Sequence, residues 1–455
     1  MTNHGPFRTA VLLVYAALPG ALPAGAQSPI VPNGDSAAAI VELRGGEWFT
    51  GSRFERGSRW MQGGRFVPRP KTATDRVVSL DGQWLVPPYA DAHTHSPDGV
   101  RGFDAIRDMY LGAGVFYVQV LGNHRSGRIA LGTQVNVPTS IDAVFADAPI
   151  TGSGGHPHVL YESLALFRTP WTTGARRQQA ARSLSQDGDV YRRLDSASQL
   201  PPLIAQLRAA PVPLLKVMVL RGDQYEQLAH DTTAVGNRGI DPKLLKPLVD
   251  SAHAMGRRVW VHIETARDFE IALDAGVDGF AHVPGYGAAW AADSELAPFR
   301  LSDAVIRRAG TKHIPVVATL GLSWATMASD TAANRRSRDV LYRNVRRLAD
   351  AGARMITGSD TYSSLEVIEN DVTALSDALG LSPLQRLQMR AVDTPRAVFP
   401  GRAIGALRVS YEASLLALSC NPMVDAACQQ KIVRRLKQGA WLSTFPPPAD
   451  PPQQH

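Results

Sequence analysis

The stretch Ala90-Asp91-Ala92-His93-Thr94-His95 closes a short apolar segment on two imidazoles one residue apart. Four later segments also end on, or just before, a side chain able to serve a metal: Leu214-Leu215-Lys216, Val259-Trp260-Val261-His262, Gly279-Phe280-Ala281-His282 and Met355-Ile356-Thr357-Gly358-Ser359-Asp360. Short apolar runs alternating with amphipathic stretches are the pattern of parallel β/α units. The separation of His93 from Asp360 approximates the roughly 250 residues of an eightfold β/α barrel, which places its chemistry at the C-terminal mouths of its strands. The expected fold class is therefore α/β, a (β/α)8 TIM-type barrel with metal-assisted catalysis at that mouth.

Working outward, eight strands are expected at Trp84–Ala92, Gly114–Val120, Ala143–Ile150, Leu214–Leu220, Arg258–Ile263, Gly279–His282, Ile314–Leu320 and Arg354–Thr357. Helices are clearest at Asp241–Met255, Arg267–Ala275 and Ala332–Ala351, with Gly256 and Gly352 where helices should stop. Before the barrel, β-like pieces recur between turns at Ala39–Leu43, Glu47–Phe49, Arg76–Leu80 and Gln83–Val86; after it lie Gly405–Tyr411 and Ala413–Ser419. Neither patch buries enough apolar area alone. A small composite β domain built from both flanks is expected, residues 27–87 and 401–445, around a hydrolase barrel over residues 88–400.

The ends read differently. Arg8, the apolar run Thr9–Leu18 and the small residues Ala24-Gly25-Ala26 form an export signal over residues 1–26, so the chain is expected in the periplasm or secreted. No later run approaches the roughly 20 apolar residues of a membrane helix. The proline-rich tail 446–455 is expected to be disordered. The net charge of +7 is dispersed in pairs such as Arg192-Arg193 and Arg346-Arg347, without the aromatic-interleaved stripe of a nucleic-acid site, so no nucleic-acid partner is expected. Two cysteines, Cys420 and Cys428, leave open a local disulfide or two buried thiols.

Alternate strand residues share a face, so His93 and His95 can meet one ion while Thr94 points away. His262 and His282 close two later strands, where a hydrogen-bonded core histidine is the ordinary alternative. Asp360 can ligate a cation and accept a proton, or cap a helix starting near Ser363. Lys216 interrupts an apolar strand; its ammonium would repel a divalent ion, whereas a carbamate formed with carbon dioxide would reverse the charge and bridge two ions. A lysine reaching solvent is the plainer alternative.

Taken together, Leu85-Val-Pro-Pro-Tyr-Ala-Asp-Ala-His-Thr-His95, Gly154-Gly155-His156, Lys216, His262, His282, Leu348–Arg354 leading to Gly358-Ser359-Asp360, and Thr394–Val398 before Ile404-Gly405 resemble the amidohydrolase superfamily. The likeness is to its imidazolonepropionase-like and prolidase-like metal-dependent branch. It implies two divalent ions, commonly zinc, with His93, His95 and Asp360 on one, His262 and His282 on the other, and carboxylated Lys216 between. It further implies that two ions roughly 3.5–4 Å apart lower the pKa of a bridging water toward ~7, that Asp360 shuttles its proton to the leaving nitrogen, and that His156 contacts substrate. Several positions depart from the family: Pro88 stands in place of glycine, Val118-Gln-Val-Leu-Gly122 lacks an Arg-Asp pair, and Ser410–Ser414 replaces Gly-Lys-Asp-Ala-Asp.

The resulting expectation is an exported hydrolase of an amide-type C–N bond in a small molecule, linear or cyclic amide, dipeptide or acyl-amino acid, with homo-oligomerisation open. Two alternatives stand beside it. One is a lactonase, esterase or phosphotriesterase using the same metals; the other is a non-catalytic metal- or ligand-binding barrel.

Overall fold

Leu214–Met218 is apolar except for Lys216 and buried at every position. Strands buried on both faces belong to parallel sheets covered by helices. In the computed structural model this strand sits in a seven-stranded, wholly parallel sheet, whose order is Arg192–Arg193, Ile150–Thr151, Leu214–Met218, Arg258–His262, Gly279–Phe280, Pro315–Val317, Arg354–Ile356. The structure describes residues 39–99, 102–170, 172–210, 212–231, 234–286, 296–322, 331–361 and 364–443. The expected export signal and proline-rich tail lie outside the described residues. No helix among the described residues is long and apolar enough to cross a membrane.

A second parallel sheet of three strands joins Asp142–Phe145, Val115–Val120 and Tyr89–Thr94. Its free edge meets the end of the larger sheet: the Ala92 N–H donates to Thr357 O at 2.9 Å, the Asp360 N–H to His93 O at 2.6 Å and the His95 N–H to Thr361 O at 2.9 Å. The first and last expected strands are thus hydrogen-bonded neighbours, which brings residues 93–95 beside residue 360.

Two expected strands are corrected. Trp84–Ala92 is two strands, Trp84–Val86 and Tyr89–Thr94, which belong to different sheets. Pro87-Pro88 between them offers no N–H to a ladder. Ala143–Ile150 likewise divides into Asp142–Phe145 and Ile150–Thr151, around Asp147 with φ +55° and Pro149. Gly405–Tyr411 forms turns and no strand.

The helices lie close to their expected places, at Pro242–Ala254, Ala266–Ala275 and Ala332–Asp350. Asp241 caps the first through its side chain, and Gly256 follows it at φ +68°, the left-handed conformation that ends a helix.

A six-stranded sheet runs Ala440–Trp441, Ile432–Lys437, Leu415–Leu418, Trp84–Val86, Glu47–Phe49, Phe54–Arg56. Leu416 lies opposite Val86, so segments some 330 positions apart pair directly. The C-terminal strand Ile432–Lys437 escaped the sequence reading because Arg434, Arg435 and Lys437 dilute its apolar pattern. A buried ion network ties this sheet to the parallel strands. The Lys437 ammonium donates to Asp142 Oδ1 at 2.7 Å and Val137 O at 2.8 Å, and the Arg402 guanidinium donates to Asp142 Oδ2 and Glu412 Oε2, both at 2.8 Å. Cys420 and Cys428 form a disulfide, which settles the alternatives left open above.

Candidate metal centre

His93 and His95 leave the first parallel strand on one side, and Asp360 reaches them from the last. Asp360 Oδ1 lies 3.2 Å from His93 Nε2 and 3.0 Å from His95 Nε2, and its Oδ2 lies 3.9 Å from His282 Nε2. Potential ligand atoms of His93, His95 and Asp360 all fall within 4.8 Å of one another. The rings of His262 and His282 are 4.4 Å apart between centroids, and His93 is 5.1 Å from His282. Lys216 opens onto the same cleft, whose atom-free space, including the part open to solvent, is about 520 Å³. His156 also lines it, with its ring 5.0 Å from that of His262. The structure therefore brings together all seven residues singled out from the sequence.

Backbone detail explains how they converge. Asp91 Oδ1 accepts the N–H groups of His93 and Ser359, both at 3.0 Å, and its Oδ2 accepts the Ser359 hydroxyl at 2.6 Å. One buried carboxylate thus fixes both strand ends that carry the ligands. Gly358 permits their approach, since a Cβ there would stand 2.7 Å from His93 N and 2.5 Å from Val317 Cγ1. Asp360 has φ +54°, a strained conformation for a residue other than glycine, of the kind concentrated at functional sites. It caps no helix: the Ser364 hydroxyl caps Leu365–Leu379 by accepting from the Val367 N–H.

The electrostatics favour an added cation. Burial pushes His93 and His282 well below the usual imidazole range, and His156 and His262 down to about 3. These rings are neutral and keep a lone pair for a metal. Burial also lowers the Lys216 ammonium to about 7, against the opposing pull of Asp360. For Asp360, burial alone would raise the carboxyl, but the rings of His93, His95 and His282 outweigh it and hold it well below the usual carboxylate range. The cluster thus sets one carboxylate among buried imidazole nitrogens and the Lys216 amine.

Three buried atoms, His93 Nδ1, Lys216 Nζ and His262 Nε2, have no hydrogen-bond partner. Such groups are costly unless something binds them. Imidazole nitrogen with carboxylate oxygen is the donor set of catalytic zinc and related divalent ions, so the residues fit a metal centre.

Three residues of the site had escaped the sequence reading. The Tyr286 hydroxyl donates to Asp360 Oδ2 at 3.1 Å, and its ring stacks on His282 with centroids 4.0 Å apart. Thr319 Oγ1 lies 2.9 Å from His282 Nδ1 while donating to Ala318 O at 2.8 Å. With its proton committed to the carbonyl, Thr319 accepts from Nδ1–H, which leaves the His282 Nε2 lone pair facing the cleft. Glu264 Oε1 lies 3.8 Å from His262 Nε2. Only Glu264 had a sequence signal, because His262-Ile-Glu264 repeats the one-residue spacing of His93-Thr-His95. His158 and His253 are held away from the cleft: His158 Nδ1 accepts from the Gly154 N–H, and His253 is paired with Asp278.

No protein-family model matches the chain, and no curated protein does. The architecture is that of amidohydrolases of known structure, with likeness at the level of fold. Among them, the ochratoxinase of A. niger aligns at TM-score 0.68 and 18% identity over 89% of this chain and 95% of that one. A prolidase solved with N-methylphosphonate-L-proline aligns at TM-score 0.65 and 18% identity over 89% and 99%. Phenylurea hydrolase B aligns at TM-score 0.65 and 18% identity over 91% and 99%.

Proposed function

We propose that this chain is an exported metal-dependent amidohydrolase of the prolidase-like branch, which holds two divalent ions and cleaves an amide-type C–N bond in a small molecule. One observation carries the reading: six potential ligands from five separate strand ends, His93 through Asp360, line a single cleft in which three buried donor atoms stand unpaired. In this reading Asp142–Phe145 and Ile150–Thr151 are halves of one strand, and the two parallel sheets, apart from the short edge strand Arg192–Arg193, make a closed eight-stranded barrel capped by a composite domain from both flanks. The names of the solved relatives, prolidase and phenylurea hydrolase among them, support the bond class.

His93, His95 and Asp360 would hold one ion and His262 and His282 the other. Lys216, as a carbamate formed with carbon dioxide, would serve both, because its neutral amine is the form that carries the needed lone pair. Bound divalent ions, with zinc the best match to the donors, would polarise the scissile carbonyl and acidify water. Asp360 takes up a proton at its carboxylate and returns it to the leaving nitrogen, a role that contributes roughly 10²–10⁴-fold. Tyr286 orients that carboxylate through Oδ2, and His156 faces the substrate. The Cys420–Cys428 disulfide supports export, since such bonds persist in oxidising compartments. The partner is a small-molecule substrate; self-association is compatible with this reading.

Elemental analysis of the purified protein, followed by a screen of the metal-loaded enzyme against amides, dipeptides, lactones and phosphotriesters, tests the proposal. Metal-dependent amide turnover, abolished in Asp360→Asn, is expected. Absence of bound transition metal from folded protein would end it, and ligand binding without turnover would point to a non-catalytic barrel.

A further inference from the structure

The candidate metal ligands leave one arc of the cleft to other side chains. They stand on or just past Tyr89–Thr94, Leu214–Met218, Arg258–His262, Gly279–Phe280 and Arg354–Ile356. None belongs to Val115–Val120, Asp142–Phe145 or Ile150–Thr151, which lie between Tyr89–Thr94 and Leu214–Met218 in the order of the two parallel sheets. Around this arc the cleft is lined by Leu121, Pro149, Leu160 and Tyr161, with Met218 at its edge, in register with His262. Leu160 and Tyr161 sit on the helix His158–Phe167, and both are only partly buried. Apolar surface left open inside a cleft is what a ligand covers.

Side-chain cations near the arc are spoken for. The Arg193 guanidinium donates to Asp187 Oδ2 at 2.8 Å, and that of Arg238 donates to Leu228 O at 2.9 Å and Ser153 O at 3.2 Å. Lys216 is the one lysine or arginine among the described residues lining the cleft, and the reading above commits it to the ions. A dipeptide or acyl-amino acid carries its carboxylate carbon two bonds, about 2.5 Å, from the scissile nitrogen. Enclosed here, that anion exchanges water for apolar side chains with no side-chain cation to pair it, which is unfavourable.

We propose that this arc is an apolar subsite with Leu160 as its specificity-determining residue, so that the favoured substrates are neutral amides bearing an alkyl or aryl group and no carboxylate beside the scissile bond. The assignment rests on the amidohydrolase reading above and excludes dipeptides and acyl-amino acids from the favoured set.

Two measurements on the metal-loaded full chain test it. In the first, N-isopentylacetamide is compared with N-acetyl-L-leucine, which differs from it only by the carboxylate. The neutral amide is expected to lead in kcat/KM by on the order of 10²-fold, the cost of an unpaired buried charge. In the second, calorimetry follows straight-chain hydroxamic acids from acetohydroxamate to hexanohydroxamate, which need no turnover. Each added methylene should tighten Kd by about fourfold; Leu160→Ser should flatten that slope, and Leu160→Met should keep it. An acid cleaved as well as its neutral counterpart, or a slope that is flat in the wild type or unchanged in Leu160→Ser of normal metal content, would overturn the subsite alone. No turnover of any amide would overturn the substrate class together with the reading beneath it.

Discussion

Lys216 is enclosed on a parallel strand with its amine unpartnered and its charge disfavoured by burial. Replacing an uncompensated buried polar group by an apolar one of similar length is neutral or stabilising, so Lys216→Met should unfold at the same urea concentration as the wild type or higher. Metal content, read by elemental analysis, should fall from two ions to one, and turnover should fall by more than about 10²-fold, given the dependence of two-metal chemistry on both ions. Thr319 has a different role. Thr319→Val keeps the shape but leaves the His282 Nδ1–H without its acceptor. Losing such an outer partner weakens metal binding by about 10- to 100-fold, which chelator competition would measure. At this scale the histidines and Asp360 were legible because each closes an apolar run, whereas Thr319 and Tyr286 were not. A hydroxyl on a loop has no spacing rule that ties it to an imidazole on another strand.

The parallel strands were legible because burial on both faces leaves an unbroken apolar run, as in Val259–Val261. Their interruptions were harder to read: the split of the third strand depends on the left-handed Asp147, a conformation its sequence neighbours do not advertise. Close packing at the last strand depends in turn on Gly358. Its substitution by alanine would drive a methyl group against the His93 backbone and Val317. Overpacking of this kind costs about 1–3 kcal/mol, and urea denaturation of Gly358→Ala should show that loss, accompanied by weaker metal retention because His93 itself must move.

Across the whole molecule, the pairing of the two flanks is fastened by ions as well as by apolar side chains. Asp142 starts a strand of the parallel system and neutralises Lys437, which is 0% exposed. Asp142→Ala would strand that ammonium in the interior, a change that costs about 3–5 kcal/mol; Asp142→Ala with Lys437→Met should recover most of it. Denaturation of both variants checks this, and full loss in the double variant would show that Arg402, not Lys437, is the main partner.

The register of Leu416 against Val86 also sets the order in which the molecule can be completed. A ribosome that has released four hundred residues has made every parallel strand, yet Trp84–Val86 still lacks the neighbour that arrives with Leu415–Leu418. Until those last segments emerge, the unpaired edge is a liability for association between nascent chains. Synthesis, and any passage across a membrane that accompanies it, must therefore be tolerated by an unfinished molecule until Leu415–Leu418 has emerged.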